Sequence, residues 1–557
     1  MAISRVTFGE WTPDQPGLTN GLQRAENVFP KQAGYGAINA AADYSNAASE
    51  NLNNVVAGKS PLGGTTVIAG GVTKLFLLNG STLNLDDASN TVRNISNVAR
   101  TTNVVTITTS TAHGYTTGDS VTVAAVTNTG VNGTFTIAST PLTTTFTYAQ
   151  TGTNITSVAD TGKTSVPAYN TSGDLRWRFT QFGETLIAAN GESKLQGFNL
   201  NSSSTFNDLS ADAPIARYVT VIRDFVVSGY IEDVSTYNQR VQWSALNDET
   251  SWTPSATTQA DYQEIPDGGS VVGITGGEFG LVFMERSIFR MSYVGSPLVF
   301  QFDNISRNLG CYEPNTIIQY QGTSFFLSDD GFYACDGQKI IPIGNEKVNR
   351  FFYADVNDGL LQSMSAAIDP FRKLVIWAYA SKSSATVDKL LIYNFETNKW
   401  SSGTTDASWI AASSTPSVTL EGLDTFGTLE TIETSFDSRV WLGGKVQFAG
   451  VRNTKIITFS GANNTAYLET GDIEIPGSTS SITLVKPIVD FGSGSVAIAT
   501  RRLLSEQITF SSQTAADAEN RVSLRSIGRF HRLQLTPTGQ WQTAIGLDME
   551  LNQLGSR

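Results

Sequence analysis

Few side chains in this sequence are spaced for chemistry. The chain has two histidines, His113 and His531, and two cysteines, Cys311 and Cys335. A catalytic triad or a zinc site needs several such groups close together, and a disulfide framework needs more thiols. These four residues therefore read as packing residues in a chain made under reducing conditions. Fifty acidic residues put carboxylate pairs everywhere, whereas a glycosidase needs two of them facing each other across a cleft. No phosphate-cradling glycine loop, dinucleotide fingerprint or nucleophile elbow occurs. The expectation is a protein with no catalytic residues, no cofactor and no metal, and not an enzyme.

Charge is more informative. The formal net charge of −13 over 557 residues argues against a protein that grips nucleic acid, because binding phosphates requires clustered lysine and arginine. Residues 481–557 hold eight Lys/Arg against six Asp/Glu, so the negative balance lies wholly in residues 1–480. One basic cluster stands out, "RVSLRSIGRFHRL", with Arg521, Arg525, Arg529 and Arg532. It reads either as a solvated strand face paired with neighbouring acids or as a docking surface for an acidic ring or subunit. No apolar stretch has the length and flanks of a signal peptide or a membrane span.

The elements that must carry these groups are strands. Runs of Thr, Val, Ile, Phe and Tyr alternate with Gly, Asn, Asp and Ser, and only "FPKQAGYGAINAAADY" and "NEKVNRFFYADV" allow short helices. A unit of strand, tight polar turn and strand recurs in "TTVIAGGVTKLFLLNGSTL", "RWRFTQFGETLIAANGESKLQGF", "RYVTVIRDFVVSGYIEDVSTYNQRVQWSAL", "SVVGITGGEFGLVFMERSIFRMSYVG", "TIIQYQGTSFFLSDDGFYACDGQKIIPIG", "SAAIDPFRKLVIWAYASKSSATVDKLLIYNF" and "KVQFAGVRNTKIITFSGANNTAYLE". A lone three- or four-stranded sheet leaves both faces wet, and stacking such sheets around an axis buries them. The expected fold is all-β: a β-propeller of six or seven blades with an inserted small β module and a carboxy-terminal β region.

The boundaries expected are 1–90 for an amino-terminal segment and first blade, 91–165 for a Thr-rich module inserted into that blade, 166–480 for the remaining blades and 481–557 for the carboxy-terminal region. Between Asn103 and Val158 the single charged residue is Asp119, and apolar residues alternate with Thr, as in strands with one buried face. Trp243, Trp252 and Trp400 lie at strand ends in "RVQWSALNDETSW" and "YNFETNKWSSG", where indoles pack between blades. Exposed together with Trp441, they would instead suit a sugar site.

Several stretches resemble one family. "ENVFPKQAGYGAI", "RVQWSALNDETSWTPS", "GEFGLVFMERSIFRMSYVGSP", "LGCYEPNTIIQYQGTSFFLSDDGFYACDGQKIIPIG" and "RSIGRFHRLQLTPTGQWQTAIGLDMEL" are similar to the tail hub or nozzle proteins of short-tailed bacteriophages, also described as packaged-DNA stabilisation proteins or tail tubular protein B. The resemblance spans most of the chain outside 91–165 and rests on the order of blade signatures, with no catalytic motif in it. It implies a virion protein assembled in the host bacterial cytoplasm, a homohexamer below the portal-adaptor ring that docks tail fibres or tailspikes. Double-stranded DNA would pass its lumen without sequence-specific binding. The alternative is a carbohydrate-binding or carbohydrate-cleaving propeller of a phage tail.

Overall fold

A computed structural model describes every residue except 1, 19–20, 63, 90, 172, 233–234, 416–426, 429, 433, 436–443, 445, 476–477 and 556–557. Trp441 lies outside the described residues.

Seven four-stranded antiparallel units follow one another along the chain, so the propeller has seven blades. Their innermost strands are Leu52–Lys59, Arg178–Phe182, Ala216–Ile222, Val271–Thr275, Ile318–Tyr320, Ser365–Asp369 and Trp409–Ser413. Each of the seven recurring sequence units falls in its own blade. Three blade outer edges are polar or exposed, as in Asp261–Glu264, Asn207–Asp208 and the strand ending at Pro342, which blunts pairing with other chains.

Every seam between neighbouring blades has an apolar cluster of its own. Ile68 and Leu75 of blade 1 meet Trp177 and Phe198 of blade 2; Ile187 meets Val226; Val241 meets Val282; Phe283 meets Phe326. Phe332 meets Trp377 across blades 5 and 6, Ile376 meets Ile410 across 6 and 7, and Val451 meets Val55 across 7 and 1. Close approach at the first of these seams requires glycine at position 70, where a Cβ would stand 2.3 Å from Trp177.

The turns are built as the sequence suggests, with one refinement. In blade 5, Gly331 and Gly337 have positive φ, which glycine adopts without steric cost. The turn at 336–339 is closed by the Asp336 carboxylate, which accepts the backbone N–H groups of Gln338 and Lys339 at 2.9 Å each. Those bonds hold its pKa below the ordinary aspartate value. Of the two possible helices, Asn349–Asp355 forms. The segment beginning at Phe29 makes strands Val28–Pro30, Tyr35–Ala37 and Ala42–Asp43 instead: the first two pair with each other, and Tyr35 and Ala42–Asp43 find sheet partners far along the chain, which outweighs local propensity.

Those partners redraw the boundaries. Ala42–Asp43 is the outermost strand of blade 7, paired with Ile457 and Thr458, so the amino-terminal segment closes the ring rather than leading into blade 1. Ala2–Thr7 pairs with the carboxy-terminal strand Thr543–Gly555, Ala2 opposite Leu551. The Thr-rich module follows Leu85–Asp87, the last strand of blade 1, and so lies between blades 1 and 2 rather than within blade 1. Its strands close on themselves: Val104–Thr109, at one end of the order, pairs with Arg93–Thr101, the last strand but one at the other. Inside sit Val105, Ile107, Phe146 and Tyr148.

Beyond blade 7 two sheets pack face to face. One continues from blade 6 through Leu22–Glu26, Tyr467–Thr470, Phe530–Thr538 and Ser493–Arg501. The other holds Thr543–Gly555 and Thr479–Asp490, with Val522–Gly528 at its edge. Ile482, Val496, Leu533 and Leu547 between them join the same core as Trp377 and Trp400, so this sandwich and the seam between blades 5 and 6 are one apolar body. No helix among the described residues is long and apolar enough to cross a membrane.

Candidate functional site: an axial cleft and a basic edge

Residues expected to do no chemistry are tied into the structure. His113 accepts the Tyr115 N–H at Nδ1 (2.9 Å) and reaches the Leu142 carbonyl with Nε2 (3.1 Å). His531 lies fully buried between Ser526 Oγ and Ser480 Oγ, 3.1 and 3.0 Å away, and burial lowers its pKa. Cys311 and Cys335 are buried free thiols whose pKa values burial raises. Among the described residues no group of three or more His, Cys, Asp or Glu is arranged to hold a metal.

The tryptophans are equally committed. Trp243 packs at the seam of blades 3 and 4 and donates to the Gln259 carbonyl at 2.9 Å. Trp252 packs at the seam of blades 2 and 3 and donates to Glu249 O at 2.8 Å. Trp400 donates to Ile343 O at 2.9 Å. All three are buried, so none offers an indole face to a sugar. "RVQWSALNDETSW" lies within one blade: it leads from the third strand of blade 3, Thr236–Trp243, toward the fourth, Asp261–Glu264.

The four arginines of the basic cluster do not share one surface. Arg532 is buried on Phe530–Thr538, bonded to Glu469 at 3.0 Å and Asp472 at 3.1 Å: alternation puts it on the face opposite Leu533, where Asp472 and the amino-terminal segment at Gly17 cover it. Arg521 pairs with Asp517 and Glu519. Arg525 and Arg529 are exposed; Arg529 lies 3.5 Å from Glu474, and Arg525 forms no ion pair among the described residues. With them on the edge strand and the adjoining turn stand Ile527, 66 % exposed, and Leu503 and Leu504. The turn is held against the strand by the Arg529 N–H, which bonds to Arg501 O at 3.0 Å. The result is a basic and apolar patch on the uncovered edge of a sheet.

A second feature lies on the propeller axis. All seven innermost strands or the loops just before them line a cavity of about 270 Å³, with Phe179, Ile274 and Ile317 among its apolar walls. Above it, sharing Arg178, Tyr218 and Asn315, opens a mouth of about 210 Å³ that holds Asp174, Arg176, Arg217 and Glu313. Arg178 donates to Asn315 Oδ1, and Asn315 Nδ2 donates to Gln362 O at 2.8 Å, a chain of bonds from blade 2 across the axis to the entry of blade 6. Arg217 is neutralised by Glu232. Arg176 donates to the carbonyls of Gly173 and Leu175 at 2.7 Å each. Neither Arg176 nor Arg178 forms an ion pair among the described residues. Burial lowers the pKa of both, and for Arg176 the charge of Arg178 lowers it further.

Glu313 is 8 % exposed. Its carboxylate accepts the Asn315 N–H at 3.5 Å and caps the short 3-10 turn Pro314–Thr316. Burial pushes its pKa up to about 7 from 4.5, against the lowering pull of the Asn315 bond and Arg178. A carboxyl whose folded pKa is raised binds more protons when folded, so its contribution is full below pH 4.5 and is lost as pH rises through 7. The difference amounts to about 3 kcal/mol. Glu313→Gln, which keeps the acceptor and cannot ionise, is expected to flatten the stability profile between pH 5 and 8 by roughly that amount; a profile identical to that of the parent protein would show a solvated carboxylate.

Sequence reading missed this cluster because its members come from three separate places in the chain. A signal was present in "RWRF": alternation puts Arg176 and Arg178 on one face and Trp177, fully buried, on the other.

No protein-family profile and no characterised protein sequence matches the chain at a significant level. Among solved structures, it is similar to the Pan2 WD40 domain of Neurospora crassa (7 % identity, TM-score 0.30, covering 67 % of this chain and 91 % of that one). It is similar also to the endosialidase of phage phi92 (12 %, 0.22, 58 % and 63 %) and to YCF48 bound to D1 peptide (9 %, 0.24, 55 % and 86 %). The chain is an all-β protein built around a seven-bladed propeller.

Proposed function

We propose that the chain is a structural subunit of a phage tail hub or nozzle, a homohexameric ring that retains packaged DNA, permits its ejection and docks tail fibres or spikes beneath the portal-adaptor ring. The observation that carries this reading is the patch of Arg525, Ile527, Arg529, Leu503 and Leu504 on an open sheet edge of an otherwise acidic chain. Exposed apolar side chains rimmed by charge mark interaction surfaces, and a head-to-tail contact repeated by rotation closes a ring. The motif order that resembles the tail hub family supports it.

In this reading DNA runs between subunits, since an axial cavity of about 270 Å³ is far too small for a duplex whose major groove alone is about 12 Å wide. An acidic wall repels phosphates over a screening length of about 8 Å and lets the duplex slide. The virion is the place of action and the host bacterial cytoplasm the place of assembly.

Native mass spectrometry with negative-stain class averages tests it, on the protein alone and mixed with its adaptor ring. Six-fold rings with an axial hole are expected. Arg525→Glu with Arg529→Glu should reduce ring formation or docking at least tenfold with an unchanged thermal midpoint. Reversal at Arg532 would unfold the sandwich and so test the wrong thing. A monomer under all conditions, or rings indifferent to the double reversal, would remove the proposal.

A further inference from the structure

The mouth of the propeller axis has the wrong charge arrangement to be mere packing. Two guanidiniums, Arg176 and Arg178, stand two residues apart on one face, and neither has a carboxylate ion pair among the described residues, only neutral acceptors, where partial burial costs a charge. Arg217 is balanced by Glu232. With Asp174 at the rim and Glu313 protonated, the mouth carries a surplus of one positive charge; with Glu313 ionised the surplus vanishes. Immediately beneath lies the axial cavity, whose wall sets Phe179, Ile274 and Ile317 beside Asn54, Thr275 and Asn315 and so offers a carbon body an apolar side. A ligand that satisfies both parts has a single negative charge at one end and a carbon body at the other.

We propose that this cleft is a binding site for an organic monocarboxylate, held by Arg176 and Arg178 at the mouth with its carbon body in the axial well. The guanidinium fork matches a carboxylate in plane and can bond it twice. A neutral Glu313 adds a proton donor on the opposite wall, as a buried protonated acid can. An inorganic phosphate would bring up to two charges to a surplus of one and leave the apolar well empty.

The site is pH-dependent. The groups that face Glu313 are Arg176 and Asp174 from the segment before blade 2, Arg178 from blade 2, Tyr218 from blade 3 and Cys311 from its own loop. Burial pushes the Glu313 carboxyl up to about 7, so its charge changes near neutrality. Affinity is therefore highest below that value and falls above it.

Calorimetric titration of the intact chain with 3-phenylpropionate tests the proposal, with its methyl ester and inorganic phosphate as controls. N-acetylphenylalanine, the end of a peptide, distinguishes a peptide terminus from a free acid as the source of the carboxylate. Sub-millimolar binding of either acid is expected at pH 6, at least tenfold weaker at pH 8.5, with no binding of the ester. Arg178→Gln should weaken it at least tenfold; since this variant also cuts the bond to Asn315, Arg176→Gln, whose hydrogen bonds stay within its own loop and which otherwise lies over the Trp409 ring, serves as the independent test and should do the same with the cooperative thermal transition retained. Glu313→Gln should bind at both pH values alike. Equal binding of acid and ester, tighter binding of phosphate, or indifference to Arg176→Gln would overturn the site, whatever the outcome of the ring-assembly experiment.

Discussion

Asp472→Ala should be the most damaging single substitution in the carboxy-terminal sandwich, lowering stability by about 3–5 kcal/mol. Asp472 is only 3 % exposed in its side chain and accepts Arg501 at 2.5 Å and Arg532 at 3.1 Å. Removing it leaves two buried guanidiniums to share one carboxylate, Glu469, which contacts Arg532 alone at 3.0 Å. The loss would extend to the amino-terminal segment, because Gly17 lies directly against the Arg532 guanidinium and the Asp472 carboxylate. A Cβ at position 17 would stand 2.7 Å from Arg532, so glycine is needed for the segment to lie against the network. Urea unfolding followed by intrinsic fluorescence measures the effect. The combination Asp472→Leu, Arg501→Met, Arg532→Met and Glu469→Leu, which leaves none of the four charges behind, should recover most of the stability, since well-packed apolar groups often replace a buried ion network without loss. A cost below 1 kcal/mol for the alanine variant would mean that water reaches the site.

Trp400→Ala should cost a similar 3–5 kcal/mol. The indole is fully buried, stacks on Trp377 with centroids 5.7 Å apart, and lies 4.7 Å from Tyr393 and 5.5 Å from Phe332. Its N–H satisfies Ile343 O, whose loss of a partner adds to the cavity term. Because the core around it serves blade 5, blade 6 and the sandwich together, the whole molecule should unfold at lower urea, with near-ultraviolet circular dichroism and fluorescence reporting one shifted midpoint. Trp400→Phe, which keeps a ring, should lose less than half as much. If only the emission of the neighbouring Trp377 changed and the midpoint stayed, the seam would be a local contact.

Much of the fold was legible because a propeller writes itself into sequence once per blade. The seven recurring units, the Asp-Gly and Asn-rich turns and the seam tryptophans are local signals. The closed Thr-rich module showed itself through its alternation and its near absence of charge. What could not be read depends on pairing across hundreds of residues. Ala42–Asp43 is two residues long and has no pattern of its own; it becomes a strand because Ile457 and Thr458 present an open ladder. Arg532 looked like its neighbours, and it is buried because Glu469, Asp472 and the distant segment at Gly17 close over its face of the sheet. Arg176, Arg178, Arg217 and Glu313 have no common motif, and only the curvature of the ring brings them to one mouth.

The strand Ala42–Asp43 bears on how the molecule is made. Blade 7 lacks its outer strand until the first segment of the chain returns to residues 455–458, so the ring stays an open arc while several hundred residues are being synthesised. At about 5–20 residues per second, that interval lasts tens of seconds, during which early blades have a bare seam and the amino-terminal strands lack partners. The clasp therefore acts as a clock: the circle locks, and the sandwich that rests on both ends of the chain completes itself, only after translation has passed the last blade.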